Sequence, residues 1–137
     1  MSENQKKVWI TGASSGIGKA LALKFAKENW QVLISARRKK LLDEISQNVN
    51  ISAFPLDVTN DNEVKETFSN IINKFKDVDL CVFCSGAYDP KLEQEINKVQ
   101  IRKIMDVNFF GVLNCIKTVE DYFKNKKNGH ISIVSSI

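Results

Sequence analysis

Residues 11–18 read TGASSGIG, and the three glycines, Gly12, Gly16 and Gly18, stand between the apolar run Val8-Trp9-Ile10 and a helix-like run from Lys19 to Glu28. Glycine lets a backbone turn tightly and approach a ligand closely. The first turn of a helix leaves N–H groups unpaired and carries a partial positive charge, so a phosphate seated there is held without a basic side chain. Strand, glycine turn and helix in that order predict a diphosphate cradle, with Ser14, Ser15 and Ile17 among its contacts. The spacing is G-x-x-x-G-x-G and departs from the G-x-G-x-x-G dinucleotide fingerprint, so that fingerprint alone does not identify the site. A glycine turn that merely joins two elements is the competing reading.

The elements that must hold this turn follow from hydrophobic periodicity. Strand-like runs fall at residues 7–11 (KVWIT), 31–36 (QVLISA), 51–56 (ISAFPL), 80–84 (LCVFC) and 130–135 (HISIVS), the last entered through Asn128-Gly129. Between them Ile17, Leu21, Ala22 and Phe25 recur at helical spacing and predict one face lying on a sheet. A second helix fits residues 39–47, with Leu41, Leu42 and Ile45 on one side. Thr59 or Asn60 caps a third that runs to about Phe75. A long helical pattern spans residues 97–124, as one helix or two in succession, with a stripe of Ile101, Ile104, Met105, Val112, Ile116, Val119 and Phe123. Strands alternating with helices predict a doubly wound α/β fold, a parallel sheet with helices on both faces. Ligands of such sheets bind beyond the carboxyl ends of the strands, where strand order reverses. That rule gathers residues 12–18, Ala36-Arg37, Asp57-Val58, Ser85-Gly86 and Ser135-Ser136 into one crevice.

A chain of 137 residues with 43% hydrophobic and 26% charged content makes one globular domain, residues 1–137. No apolar run approaches the roughly 18 residues that span a bilayer, and the polar start lacks a signal-peptide segment, so a cytoplasmic location is expected. The net charge of +4 includes a cluster at Arg37-Arg38-Lys39-Lys40, but no aromatic pattern or zinc spacing accompanies it, so nucleic acid is not the expected partner. Cys81 and Cys84 form C-x-x-C, yet positions three apart on a strand face opposite ways. Both are read as small core residues, Cys115 completes an odd number that fits a reducing compartment, and no metal site is expected.

Two polar positions break the packing pattern. Asn108 falls on the apolar stripe of the long helix, where a carboxamide costs stability unless it is paired. It is either an internally bonded asparagine or a functional one. At the end of the second strand an NAD-selective site carries an acid for the ribose hydroxyls. Here Ser35-Ala36 is followed by Arg37, which would repel no phosphate and would attract one, so NADP (as NADPH) is favoured and NAD is the lesser fit. Arg38, Lys39 and Lys40 are expected to face solvent.

Together these residues resemble the short-chain dehydrogenase/reductase family over essentially the whole chain. TGASSGIG matches the family's TGxxxGxG turn, Asp57-Val58 its acidic-apolar pair beside the adenine ring, and Asp106-Val107-Asn108 with Gly111 its V-N-x-x-G segment. Residues 129–136 (GHISIVSS) resemble the fifth-strand segment that ends in the catalytic serine, Ser136, at 136 − 108 = 28 residues from Asn108. The resemblance implies a Rossmann-type sheet, truncated after the fifth strand, with catalytic Asn108 and Ser136. It implies cofactor contacts at Gly12, Ser14, Ser15, Gly16, Ile17, Gly18, Arg37, Asp57, Val58, Ser85 and Gly86. Departures are Phe83-Cys84-Ser85-Gly86 in place of N-N-A-G, and Ser15 where many NADP-selective members carry Lys or Arg. The family's Tyr-x-x-x-Lys follows the serine, and the sequence stops at Ile137; neither Tyr88 nor Tyr122 lies in that place.

The expected function is therefore an NADP(H)-dependent oxidoreductase moving hydride between nicotinamide and a carbonyl or alcohol substrate, represented by its amino-terminal portion and inactive as that portion alone. A non-catalytic nucleotide-binding module is the alternative, and a basic nucleic-acid scaffold the weakest. The fifth strand would present an open edge, and the long helix offers a face for a homo-oligomer.

Overall fold

The computed structural model describes residues 4–135. Among them five parallel strands form one sheet: β1 (Lys7–Thr11), β2 (Gln31–Ser35), β3 (Ile51–Ala53), β4 (Leu80–Phe83) and β5 (His130–Ile133), in the order β3-β2-β1-β4-β5. The chain moves outward from β1 to β3, then returns to the other side of β1 for β4 and β5. Strand order thus reverses between β1 and β4.

β1 and β2 are buried at every residue, as strands covered on both faces must be, and their near-continuous apolar runs have this cause. Alternation along β1 sends Trp9 to one face and Val8 and Ile10 to the other. Trp9 stacks on Phe68 and meets Phe83 edge-on, while its indole N–H donates to Ser35 Oγ at 2.9 Å, so the polar end of the largest core side chain is paired. This layer lies under α3 (Asp61–Phe75) and α5 (Val112–Lys126); the opposite layer, with Val32, Ile34, Ala22 and Leu42, lies under α1 (Gly16–Lys27) and α2 (Lys39–Ile45). Cys81 joins the first layer and Cys84 the second, the opposite facing that strand periodicity predicts.

Asn60, of the two caps considered, starts α3: its Oδ1 accepts from the Glu63 N–H at 3.1 Å. Of the two forms considered for the long helical pattern, two helices in succession is the one found: α4 (Lys98–Met105) and α5, joined by a π-helical turn (Asp106–Gly111). The wider turn inserts about one residue, which rotates the following face by about 100°. The single stripe predicted from Ile101 to Phe123 is broken by it: Val119 and Phe123 are buried, whereas Ile101 and Met105 are exposed. β3 and β5 are also shorter than their apolar runs, ending at Ala53 and Ile133.

Candidate functional site

Beyond the carboxyl ends of β1 and β4 lies a crevice of about 310 Å³, the size class of small-molecule sites. Its floor is the glycine turn. Gly12 has φ +66°, and a β-carbon there would stand 2.6 Å from the Cys84 carbonyl, so the turn and the end of β4 touch backbone to backbone. Gly18 is as tightly placed, 2.3 Å from the Gly12 oxygen by the same measure. Gly16 differs: its φ is +55° and nothing lies within 4 Å of where a side chain would begin. That open space adjoins the start of α1.

The start of α1 carries no cap. Ser15 at the cap position makes no side-chain bond, no acid lies in the first turn, and the first intrahelical bond runs from the Lys19 N–H to the Ser15 carbonyl at 3.2 Å. The N–H groups of Gly16, Ile17 and Gly18 therefore have no intrahelical partner and carry the positive end of the helix dipole. Room and donors together are what a diphosphate needs. Ile17 was expected on the sheet-facing side of α1, but it is 60% exposed and lines the crevice, because the first turn projects past the end of the sheet.

All the expected nucleotide contacts meet here: Ser14 and Ser15 with the glycines, Arg37 after β2, Asp57 and Val58 after β3, and Ser85 and Gly86 after β4. Arg38 was expected to face solvent with Lys39 and Lys40. Although exposed, it lines the same rim, and its Nη2 donates to Ser14 Oγ at 3.3 Å. Two guanidinium groups thus border the side of the crevice next to β2. Among the buried side-chain polar atoms described, Thr11 Oγ1 alone has no partner, at the end of β1 where Cys84 replaces the asparagine of the resembled pattern.

Asn108 sits in the π-helical turn and is exposed, not on a buried stripe. Its carboxamide pairs with the backbone of Ala87 in both senses: Oδ1 accepts from the Ala87 N–H at 2.6 Å, and Nδ2 donates to the Ala87 carbonyl at 2.9 Å. The pair fixes the segment after β4 against the helix, beside Gly86. Each amide atom keeps capacity for one further bond. Ser136 lies outside the described residues.

Tyr122 and Lys126 do have the Tyr-x-x-x-Lys spacing, which the sequence reading passed over. Their place is the opposite end of the sheet, at the amino ends of the strands. Tyr122 donates from its hydroxyl to Asp77 Oδ1 at 2.5 Å, and Lys126 Nζ donates to the same oxygen at 2.6 Å and to the Val78 carbonyl at 2.8 Å, all ahead of β4. Burial and the Asp77 carboxylate hold the Tyr122 phenol well above its ordinary value, so it stays neutral. Asn114 is the other residue that went unnoticed: its Nδ2 donates to the Val58 carbonyl at 2.9 Å. The signal was available, since a carboxamide in the apolar run VLNCI needs a partner just as Asn108 does.

Comparison with known proteins follows the same lines. The family model "short chain dehydrogenase" matches residues 6–137. An uncharacterised oxidoreductase of Listeria monocytogenes is 32% identical over 142 residues, covering 100% of this chain and 57% of its own length. The 3-oxoacyl-[acyl-carrier-protein] reductase of Staphylococcus epidermidis is 30% identical over 138 residues, covering 96% and 57%. Among solved structures, ElxO with NADP bound superposes with a TM-score of 0.88 at 32% identity, over 96% of this chain and 56% of that one. The chain spans about half the length of the relatives it matches. Glycine turn, reversal of strand order and a family model that matches nearly every residue agree, and the chain belongs to the short-chain dehydrogenase family.

Proposed function

We propose that residues 1–137 form the nucleotide-binding portion of an NADP(H)-dependent oxidoreductase that acts on a carbonyl or alcohol substrate. The observation that carries this reading is the uncapped start of α1 opening into the same crevice as Arg37 and Arg38. The N–H groups of Gly16, Ile17 and Gly18 bind the diphosphate. Arg37, with Arg38 beside it, holds the 2′-phosphate by charge-assisted hydrogen bonds. Asp57 and Val58 receive the adenine, and Ser85 and Gly86 line the passage toward the substrate. The known NADP complex of ElxO, a relative by structure, supports the choice of nucleotide.

When bound, the nicotinamide supplies the hydride chemistry. Ser136 donates a hydrogen bond to the substrate oxygen as charge develops there. Asn108 holds the Ala87 segment in place and, with its remaining hydrogen-bond capacity, a proton-relay water. The resemblance assigns the general acid, and the lysine that lowers its pKa, to a Tyr-x-x-x-Lys segment that follows the serine.

Isothermal titration with NADPH and NADH tests the binding half of this reading. NADPH should bind more tightly, and Arg37→Ala should remove about 1.5–3 kcal/mol of that preference, the worth of a hydrogen bond to a charged group. Equal affinity for both nucleotides in the unaltered chain contradicts the specificity assignment. A nucleotide-binding module without turnover is the second reading. It is favoured by the placement of Tyr122 and Lys126 at the amino ends of the strands, away from the crevice. Self-association belongs to the same proposal, since Phe109, Phe110 and Leu113 are all exposed along the π turn and the start of α5. Sedimentation velocity should show a species larger than 15.5 kDa, and a monomer at every concentration would remove this part.

A further inference from the structure

Val58 is fixed from a direction that the glycine cradle does not explain. Asn114, in the first turn of α5, reaches across 56 sequence positions to donate to the Val58 carbonyl at 2.9 Å. Gly111, just before α5, lies so close that a β-carbon there would stand 2.6 Å from Val58 Cγ2. On its other side the turn is bonded again. The Asp57 N–H donates to Glu63 Oε1 at 3.1 Å, and Asp57 Oδ1 accepts from the Thr59 N–H at 3.0 Å and the Thr59 hydroxyl at 2.7 Å. None of these bonds uses Asp57 Oδ2. Asp57 and Val58 both line the crevice, and the turn that carries them is tied by hydrogen bonds to α3 and α5.

We infer that Asn114 is a positioning residue for recognition of the nucleotide base. This rests on the reading of the crevice as a nucleotide site. Asn114 does not line the crevice and needs no contact with the ligand. It acts through the Val58 carbonyl, which joins the turn to a helix whose Cys115, Val119 and Phe123 are buried in the core. A turn tied to the core cannot drift when the base arrives. The 6-amino group of adenine donates to a carboxylate oxygen, whereas hypoxanthine has a carbonyl oxygen at that position and is repelled by it. Discrimination between the two bases therefore measures where Asp57 stands.

The test is titration of the intact chain and of Asn114→Ala with NADPH and with nicotinamide hypoxanthine dinucleotide phosphate. The unaltered chain should favour NADPH. In Asn114→Ala, NADPH affinity should fall by about three- to tenfold, the worth of one hydrogen bond, while affinity for the hypoxanthine analogue stays put and the preference collapses. Should the alanine variant lose its helical circular dichroism, Asn114→Ser, which keeps a shorter donor, serves the same comparison. Equal losses for both dinucleotides would reduce Asn114 to a general structural role and overturn the inference. So would an unchanged preference, or an unaltered chain that binds both equally. If the unaltered chain binds neither dinucleotide, the nucleotide-site reading fails and this inference fails with it.

Discussion

The two ends of the sheet use similar groups in opposite ways. At the carboxyl ends of the strands, donors are left over: the α1 N–H groups lack intrahelical partners, Ser15 makes no cap, and Gly16 faces open space. At the amino ends the donors are consumed. Asp77 takes bonds from Tyr122, Lys126 and the Val78 N–H, while Asp79 receives the Lys7 N–H at 2.8 Å and its own backbone bonds to Lys7 and His130. Under the proposed function, unspent hydrogen-bonding capacity marks the end that binds, and satisfied capacity the end that holds the fold. The same contrast explains why the spacing Tyr-x-x-x-Lys carries no catalytic meaning at Tyr122 and Lys126. Spacing places both on one side of a helix, and location decides what they face.

Within the glycine turn, replacing Gly12 by Ala should have the largest effect. Positive φ combined with a 2.6 Å approach to the Cys84 carbonyl predicts a loss of about 2–4 kcal/mol in chemical denaturation. Gly16→Val sharpens the comparison, because space is open there. It should cost only about 1–2 kcal/mol, the price of the left-handed backbone, yet abolish nucleotide binding by filling the cradle. At the other end Lys126→Met should give the inverse pattern: about 1–2 kcal/mol of stability lost as the Asp77 carboxylate keeps only part of its bonding, with nucleotide affinity unchanged. A nucleotide effect of Lys126→Met would break the division between the two ends.

Smallest is a pH effect. Burial alone would raise the Asp77 carboxyl, but the hydrogen bonds from Lys126 and Tyr122 and the Lys126 charge outweigh it and leave its pKa below the ordinary value. A group whose folded pKa is depressed adds stability above its unfolded value that is lost as the pH falls through the folded one. The contribution should be complete above about pH 4 and fade below it, and Asp77→Asn should flatten that acid limb. Because the Asp77 side chain is 45% exposed, the effect should be modest.

The sequence made the sheet legible because β1 and β2 are buried on both faces and cannot avoid continuous apolar runs. Gly12 and Gly18 were legible because backbone packs too closely there for a side chain, and Gly16 because its positive φ favours glycine. What periodicity missed has a common origin in contacts between distant segments. Ile17 kept helical spacing with Leu21, yet stands past the end of the sheet it was expected to cover. A π-helical turn changed the phase between Met105 and Val112, which no count of apolar spacing registers. Asn114 and Val58 meet because two loops of the fold converge, and nothing local to either announces it.

The division between the two ends can be tested in one measurement, a titration of the isotopically labelled chain with NADPH followed by amide chemical shifts. The predicted result is saturable shifts at Gly12, Gly16, Ile17, Gly18, Arg37, Asp57, Val58 and Gly86, with Asp77, Asp79, Tyr122 and Lys126 unmoved. Saturable shifts centred on Asp77 and Tyr122, or no saturation at the glycine turn, would contradict it.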